Sequence, residues 1–141
     1  MERLFMPNKS FAKEWLVKAY HDLSSAQILY GAGHFTDTIG CALQQAVEKS
    51  LKAFLAYESK KIKKTHDLVD IYELIEKYIE LEESQIRLLA IATDYYTEDK
   101  YPAIHCALPE RKEIKEVLDF ATDLLGRVCL ILEIDKQGVM S

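Results

Sequence analysis

Apolar residues recur every three or four positions along most of this chain, the spacing of one helix face. No segment alternates apolar and polar residues over the length of a strand. Leu16, Ala19, Leu23, Ala26 and Tyr30 mark a first helix. It is expected to start at Ser10, whose hydroxyl can accept from an early backbone N–H. Gly31 and Gly33 end it, because glycine tolerates the left-handed conformation that closes a helix. A second helix is predicted over 36–57, with Ile39, Leu43, Ala46, Val47, Ser50, Leu51 and Phe54 along one stripe. Residues 58–64 are polar and basic and read as a loop.

Thr65 is the expected cap of a third helix, with Leu68, Ile71, Tyr72, Ile75 and Ile79 facing inward. A fourth begins near 82–84 and runs to about residue 96, its acidic start suited to the positive end of the helix dipole. The pattern breaks over 97–108. Pro109 fits the first position of a final helix, where its missing N–H is not needed. Ile114, Val117, Leu118, Ala121, Leu125, Val128 and Leu132 give that helix the most regular stripe in the chain. Long helices joined by short loops must lie mostly antiparallel. The expectation is therefore an all-α fold, an antiparallel up-and-down four- to five-helix bundle, in one domain with its core at about residues 10–135.

Composition narrows the role. The 141 residues fit one domain, and 49% hydrophobic residues suffice for a core. A formal charge of −5 argues against a protein that coats nucleic acid by bulk attraction, though a local basic patch is compatible with it. Cys41, Cys106 and Cys129 are odd in number and lack Cys-x-x-Cys spacing, a pattern of reduced thiols rather than of disulfides or a zinc site. The first residues have no apolar secretory core, and the longest stretch without charge, 23–36, is too short to span a bilayer. A cytoplasmic location is expected. No His-Glu-x-x-His spacing is present, so no metal and no cofactor are indicated.

Three features are polar where a bundle does not require it. Gln45, Glu48, Lys49 and Lys52 form one stripe on the second helix, with Gln44 in register with Glu48. The simpler reading is a solvated face with a Glu48–Lys52 pair; the sharper one is a partner interface or ligand groove. Next, Lys60, Lys61, Lys63 and Lys64 run straight into Thr65-His66-Asp67-Leu68. Either this helix start and its cationic loop form a phosphate-binding corner, or Thr65 simply caps while the lysines stay hydrated. Last, Tyr95, Tyr96 and Tyr101 with Lys100 and His105 could stack on bases, or could seal the bundle end with their hydroxyls in water. Asp22 on the first helix is placed to pair with a lysine of the second.

Together these residues resemble the HEPN family (higher eukaryotes and prokaryotes nucleotide-binding domain). The matching pieces are Trp15…Ala19-x-x-Asp22-Leu23-x-x-Ala26 and Gln44-Gln45-Ala46-Val47-Glu48-Lys49-x-Leu51-Lys52-Ala53. Lys64-Thr65-His66-Asp67-Leu68 and Lys100-Tyr101-Pro102 follow in the same order, and the resemblance spans about residues 10–132. It implies a four- or five-helix bundle, commonly a homodimer, often paired with a minimal nucleotidyltransferase in a complex or a toxin–antitoxin system. Some members are metal-independent ribonucleases that use an arginine followed four to six residues later by a histidine. No arginine here precedes a histidine at that distance, and the nearest element is Lys100-Tyr-Pro-Ala-Ile-His105. Lysine cannot reproduce the bidentate grip of a guanidinium on phosphate.

The leading expectation is a non-catalytic or weakly catalytic module binding a nucleotide, an RNA backbone or a nucleotidyltransferase. Lys49, Lys52, His66, Lys100 and Tyr101 are the candidate phosphate contacts, supported by Asp22, Gln45, Glu48 and Asp67. One alternative is an endoribonuclease with His105 as acid/base and Lys100 as charge stabiliser. The other is a bundle with a purely structural, protein-binding role.

Overall fold

The computed structural model describes residues 7–96 and 108–141. Among these residues six helices and no strand are found: α1 (Lys9–Gly31), α2 (Thr36–Tyr57), α3 (Leu68–Ile75), α4 (Glu83–Thr93), α5 (Arg111–Ile131) and α6 (Lys136–Met140). The protein is all-helical, as its periodicity predicts.

Each helix end has a local cause. Asn8, not Ser10, caps α1: its Oδ1 accepts from the Phe11 N–H at 2.9 Å. Asparagine serves as well as serine in that role, and it occurs two positions earlier. At the other end Gly33 takes φ 68°, and the His34 N–H reaches back to the Leu29 carbonyl at 3.0 Å. Asp67, not Thr65, caps α3, accepting from the N–H groups of Val69 and Asp70. The third helix also ends before Ile79. Tyr78 there stacks on Phe54 with centroids 4.9 Å apart, and the chain turns so that Ile79 and Leu81 are buried without being helical. Pro109 lies ahead of the cap Glu110 instead of inside α5. The short α6, capped by Asp135, has no counterpart in the periodicity of the sequence.

Three long helices make the frame. A hydrogen bond of 2.8 Å from the Asn8 N–H to the Tyr57 carbonyl joins the start of α1 to the end of α2, so the two are antiparallel. Arg111 Nη2 donates to the Tyr30 carbonyl at 2.9 Å, placing the start of α5 beside the end of α1. Helices α2 and α5 therefore run the same way, and the short α3 and α4 lie against α2. Leu16, Leu43, Leu51, Phe54, Ile71, Leu89, Ile114 and Leu124 are fully buried between these elements. Because α2 is packed by α1, α3, α4 and α5, most of its circumference is enclosed. That enclosure decides the state of its polar residues.

Candidate functional site

The polar stripe of α2 is not a solvated face. Gln44 is 0% exposed, Glu48 4% and Lys52 5%, although all three carry strongly hydrated groups. The cause is tertiary: the segment leading into α3 lays His66 on Glu48, and Tyr96, three residues past α4, stacks on the His66 ring.

Every side-chain polar atom of Gln44, Glu48 and Lys52 has a defined partner. Glu48 Oε1 accepts from Gln44 Nε2 at 2.9 Å and lies 2.8 Å from His66 Nδ1. Its Oε2 accepts from Lys52 Nζ at 3.1 Å, the expected pair one turn apart, here out of water. Gln44 Nε2 also donates to the His66 carbonyl at 3.1 Å, and its Oε1 accepts from Gln45 Nε2 at 2.6 Å. Bonding to a carboxylate keeps a proton on His66 Nδ1 and fixes the ring's orientation. The ring's face is held as well, stacked on Tyr96 with centroids 3.9 Å apart and planes 20° from parallel.

Beside Glu48 on α2, Lys49 Nζ meets Asp22 Oδ2 at 2.6 Å, the cross-helix pair expected from the sequence. Both side chains are about a quarter exposed, so this pair lies at the rim. The cluster thus runs from a dry interior at Gln44, Glu48 and Lys52 to open edges at His66, Gln45 and Lys49. Lys49 and Lys52 already hold counter-charges. An incoming phosphate would compete with Asp22 and Glu48 for them.

The start of α3 is also committed internally. The Leu68 N–H donates to Thr93 Oγ1 at 3.0 Å, Asp67 Oδ1 takes those of Val69 and Asp70, and the Asp67 carbonyl takes that of Ile71. An anion near His66 would be met by side-chain cations rather than by these backbone groups. Lys60 is likewise engaged, with Nζ 2.8 Å from Glu58 Oε2, while Lys77 lies 2.9 Å from Oε1. Burial raises the Glu58 carboxyl, but hydrogen bonds from Lys60, Tyr78 and Lys77 outweigh it and hold the group at about 2. Burial and the same carboxylate push the Tyr78 phenol above its ordinary value.

Tyr95 and Tyr96 are packed into the bundle. Tyr95 is 8% exposed and donates its hydroxyl to Glu113 Oε2 at 2.5 Å, and the Tyr96 hydroxyl is buried with no hydrogen-bond partner among the described residues. These two close the bundle, with the Tyr95 hydroxyl bonded to Glu113 and the Tyr96 hydroxyl out of water. Lys100, Tyr101 and His105 lie outside the described residues. Among the described residues, no three His, Cys, Asp or Glu side chains gather closely enough to hold a metal ion. No helix there is long and apolar enough to cross a membrane.

Gln44 and Tyr96 are the members of this cluster that the candidate contacts omitted. Gln44 had a readable signal, since it precedes Glu48 by one helical turn. Tyr96 had none, because its stacking on His66 depends on how α4 is laid against α2.

Comparison with known proteins agrees with this architecture. No curated protein matches the chain. The solved structure of TT1696 from Thermus thermophilus is similar, with 28% identity and a TM-score of 0.71, covering 85% of this chain and 97% of that one. ST0689, described as an archaeal HEPN homologue, has the same fold at 18% identity and a TM-score of 0.65, covering 94% of this chain and 99% of that one. A family model for the HEPN domain matches residues 12–132, and with the cluster on α2 and the bundle around it, the chain belongs to the HEPN domain family.

Proposed function

We propose that this HEPN chain is a dimeric, non-catalytic or weakly catalytic module of the cytoplasm. Its ligand would carry phosphate, as a nucleotide or an RNA backbone does, or its partner would be a nucleotidyltransferase, as in a toxin–antitoxin pair. The observation that carries the reading is the buried Gln44–Glu48–Lys52 cluster opening at His66. A buried ion pair is weak support for stability, since well-packed apolar residues of similar volume often do as well. Its presence in a bundle that has enough apolar residues to fill that space favours a role in recognition. His66 and Lys49 stand at the edge of the cluster as the first contacts, with Lys52 behind them. Lys100 and Tyr101 complete the proposed set, and Asp22, Gln45 and Asp67 support it.

The test is a calorimetric titration of ATP and of a short single-stranded RNA into the wild type, His66→Ala and Lys49→Ala. Salt-dependent binding weakened in both variants is the expected result. Absence of heat with either ligand, at any ionic strength, would overturn the phosphate-ligand reading and leave a protein partner, the nucleotidyltransferase among them. The ribonuclease alternative rests on Lys100 and His105. Cleavage of RNA in EDTA that disappears in His105→Ala would establish it.

A further inference from the structure

Beside α3 lies a groove that shares no lining residue with the Glu48 cluster. It runs between the segment 60–64 and α3, and is lined by Leu55, Lys60, Lys61, Ile62, Lys63, Lys64 and Leu74. Leu55 is buried at its floor, Ile62 is half-buried, and Leu74 is 43% exposed despite belonging to the most apolar of the short helices. Lys61, Lys63 and Lys64 stand exposed along its rim, without a carboxylate at ion-pair distance among the described residues. That is notable in a chain with 23 acidic and 18 basic residues, where carboxylates are in excess. Lys60 is bound to Glu58, which also holds Lys77, so the segment is fastened at its root.

We propose that this groove docks an acidic segment of a partner protein. An apolar side chain of the segment would rest on Leu55, Ile62 and Leu74, and its carboxylates would meet Lys61, Lys63 and Lys64. Charge complementarity gives the sign of the partner, and the apolar floor gives its second property. A nucleic acid matches the charge but not the floor. No aromatic ring lines the groove to stack a base, and the side chains of its floor, Leu55, Ile62 and Leu74, are aliphatic and cannot read one. Rim lysines of this kind govern association rate and salt dependence, while the apolar anchor supplies residence.

The probes are a short peptide of glutamates and leucines, the same peptide with serines in place of leucines, and an oligouridylate. Each is titrated into methyl-labelled protein, reading the Ile62 and Leu74 resonances. The glutamate–leucine peptide should shift both residues with an affinity that falls as salt rises. Lys61→Glu, Lys63→Glu and Lys64→Glu combined should weaken it by about tenfold or more. Leu74→Ser should weaken it with the lysines intact. All four positions are exposed or half-exposed, so circular dichroism of the variants should match the wild type. The proposal is overturned if the serine peptide binds equally well, if only the oligouridylate shifts these methyls, if no probe does, or if the triple lysine variant binds unchanged.

Discussion

Glu48 on α2 and His66 ahead of α3 are joined by a hydrogen bond of 2.8 Å between Oε1 and Nδ1. This contact fastens the segment between α2 and α3 onto the most enclosed helix of the bundle, and Lys52 shares the same carboxylate. Glu48→Ala leaves the Lys52 ammonium buried without a counter-charge. A loss of about 3–5 kcal/mol is expected, measured by urea unfolding. Adding Lys52→Met to that variant should recover much of the loss. Recovery of nothing would mean that the cluster, not the orphaned charge, carries the stability.

The Asp22–Lys49 pair should behave quite differently. Its side chains are 28% and 25% exposed, and it lies at the rim. A double-mutant cycle with Asp22→Ala and Lys49→Ala should give a coupling of about 1 kcal/mol or less, shrinking as salt is added. A coupling several times larger would show that the pair is screened from water.

Glu58 predicts an acid dependence. Its carboxyl is held at about 2 against an ordinary 4.5, so the folded state binds its proton less readily than the unfolded chain does. The stabilisation is therefore fully present above pH 4.5 and is lost as pH falls from there towards 2. Its lysine partners are more than half exposed, which limits the contribution to about 2 kcal/mol. Glu58→Gln should lower stability at neutral pH and flatten this acid limb, as read from chemical unfolding at a series of pH values. An unchanged limb would assign the acid loss to other carboxylates.

Gly40 sits where α2 passes closest to Tyr95. A Cβ built there would lie 2.9 Å from the Tyr95 ring carbon Cγ, and the ring is anchored through its hydroxyl to Glu113. Alanine in a helix is ordinarily favoured over glycine by about 1 kcal/mol. Here the overlap should dominate, and Gly40→Ala should destabilise by about 1–3 kcal/mol. A variant melting above the wild type would show that Tyr95 can move aside without loss.

Much of the bundle was legible because helical periodicity is a local property. The stripe from Ile114 to Leu132 places α5 within a few residues at each end, and the range 36–57 matches α2 as found. Helix ends were less legible where two competent residues competed. Asn8 displaced Ser10, and Asp67 displaced Thr65, since several nearby side chains can satisfy the same N–H groups and packing selects among them. The candidate site was legible as residue types on a helix face. Its burial was not.

The sequence by itself determined that α2 carries Gln44, Gln45, Glu48, Lys49 and Lys52 within about two turns, and that Asp22 could reach one of the lysines. Those facts follow from helical geometry alone. Only the tertiary structure decided that Gln44, Glu48 and Lys52 are dry while Lys49 stays at the rim. The reason is physical: whether a helix face meets water depends on what packs against it. Here His66, distant in sequence, is brought onto Glu48, and Tyr96 onto His66, by the way α3 and α4 pack along α2.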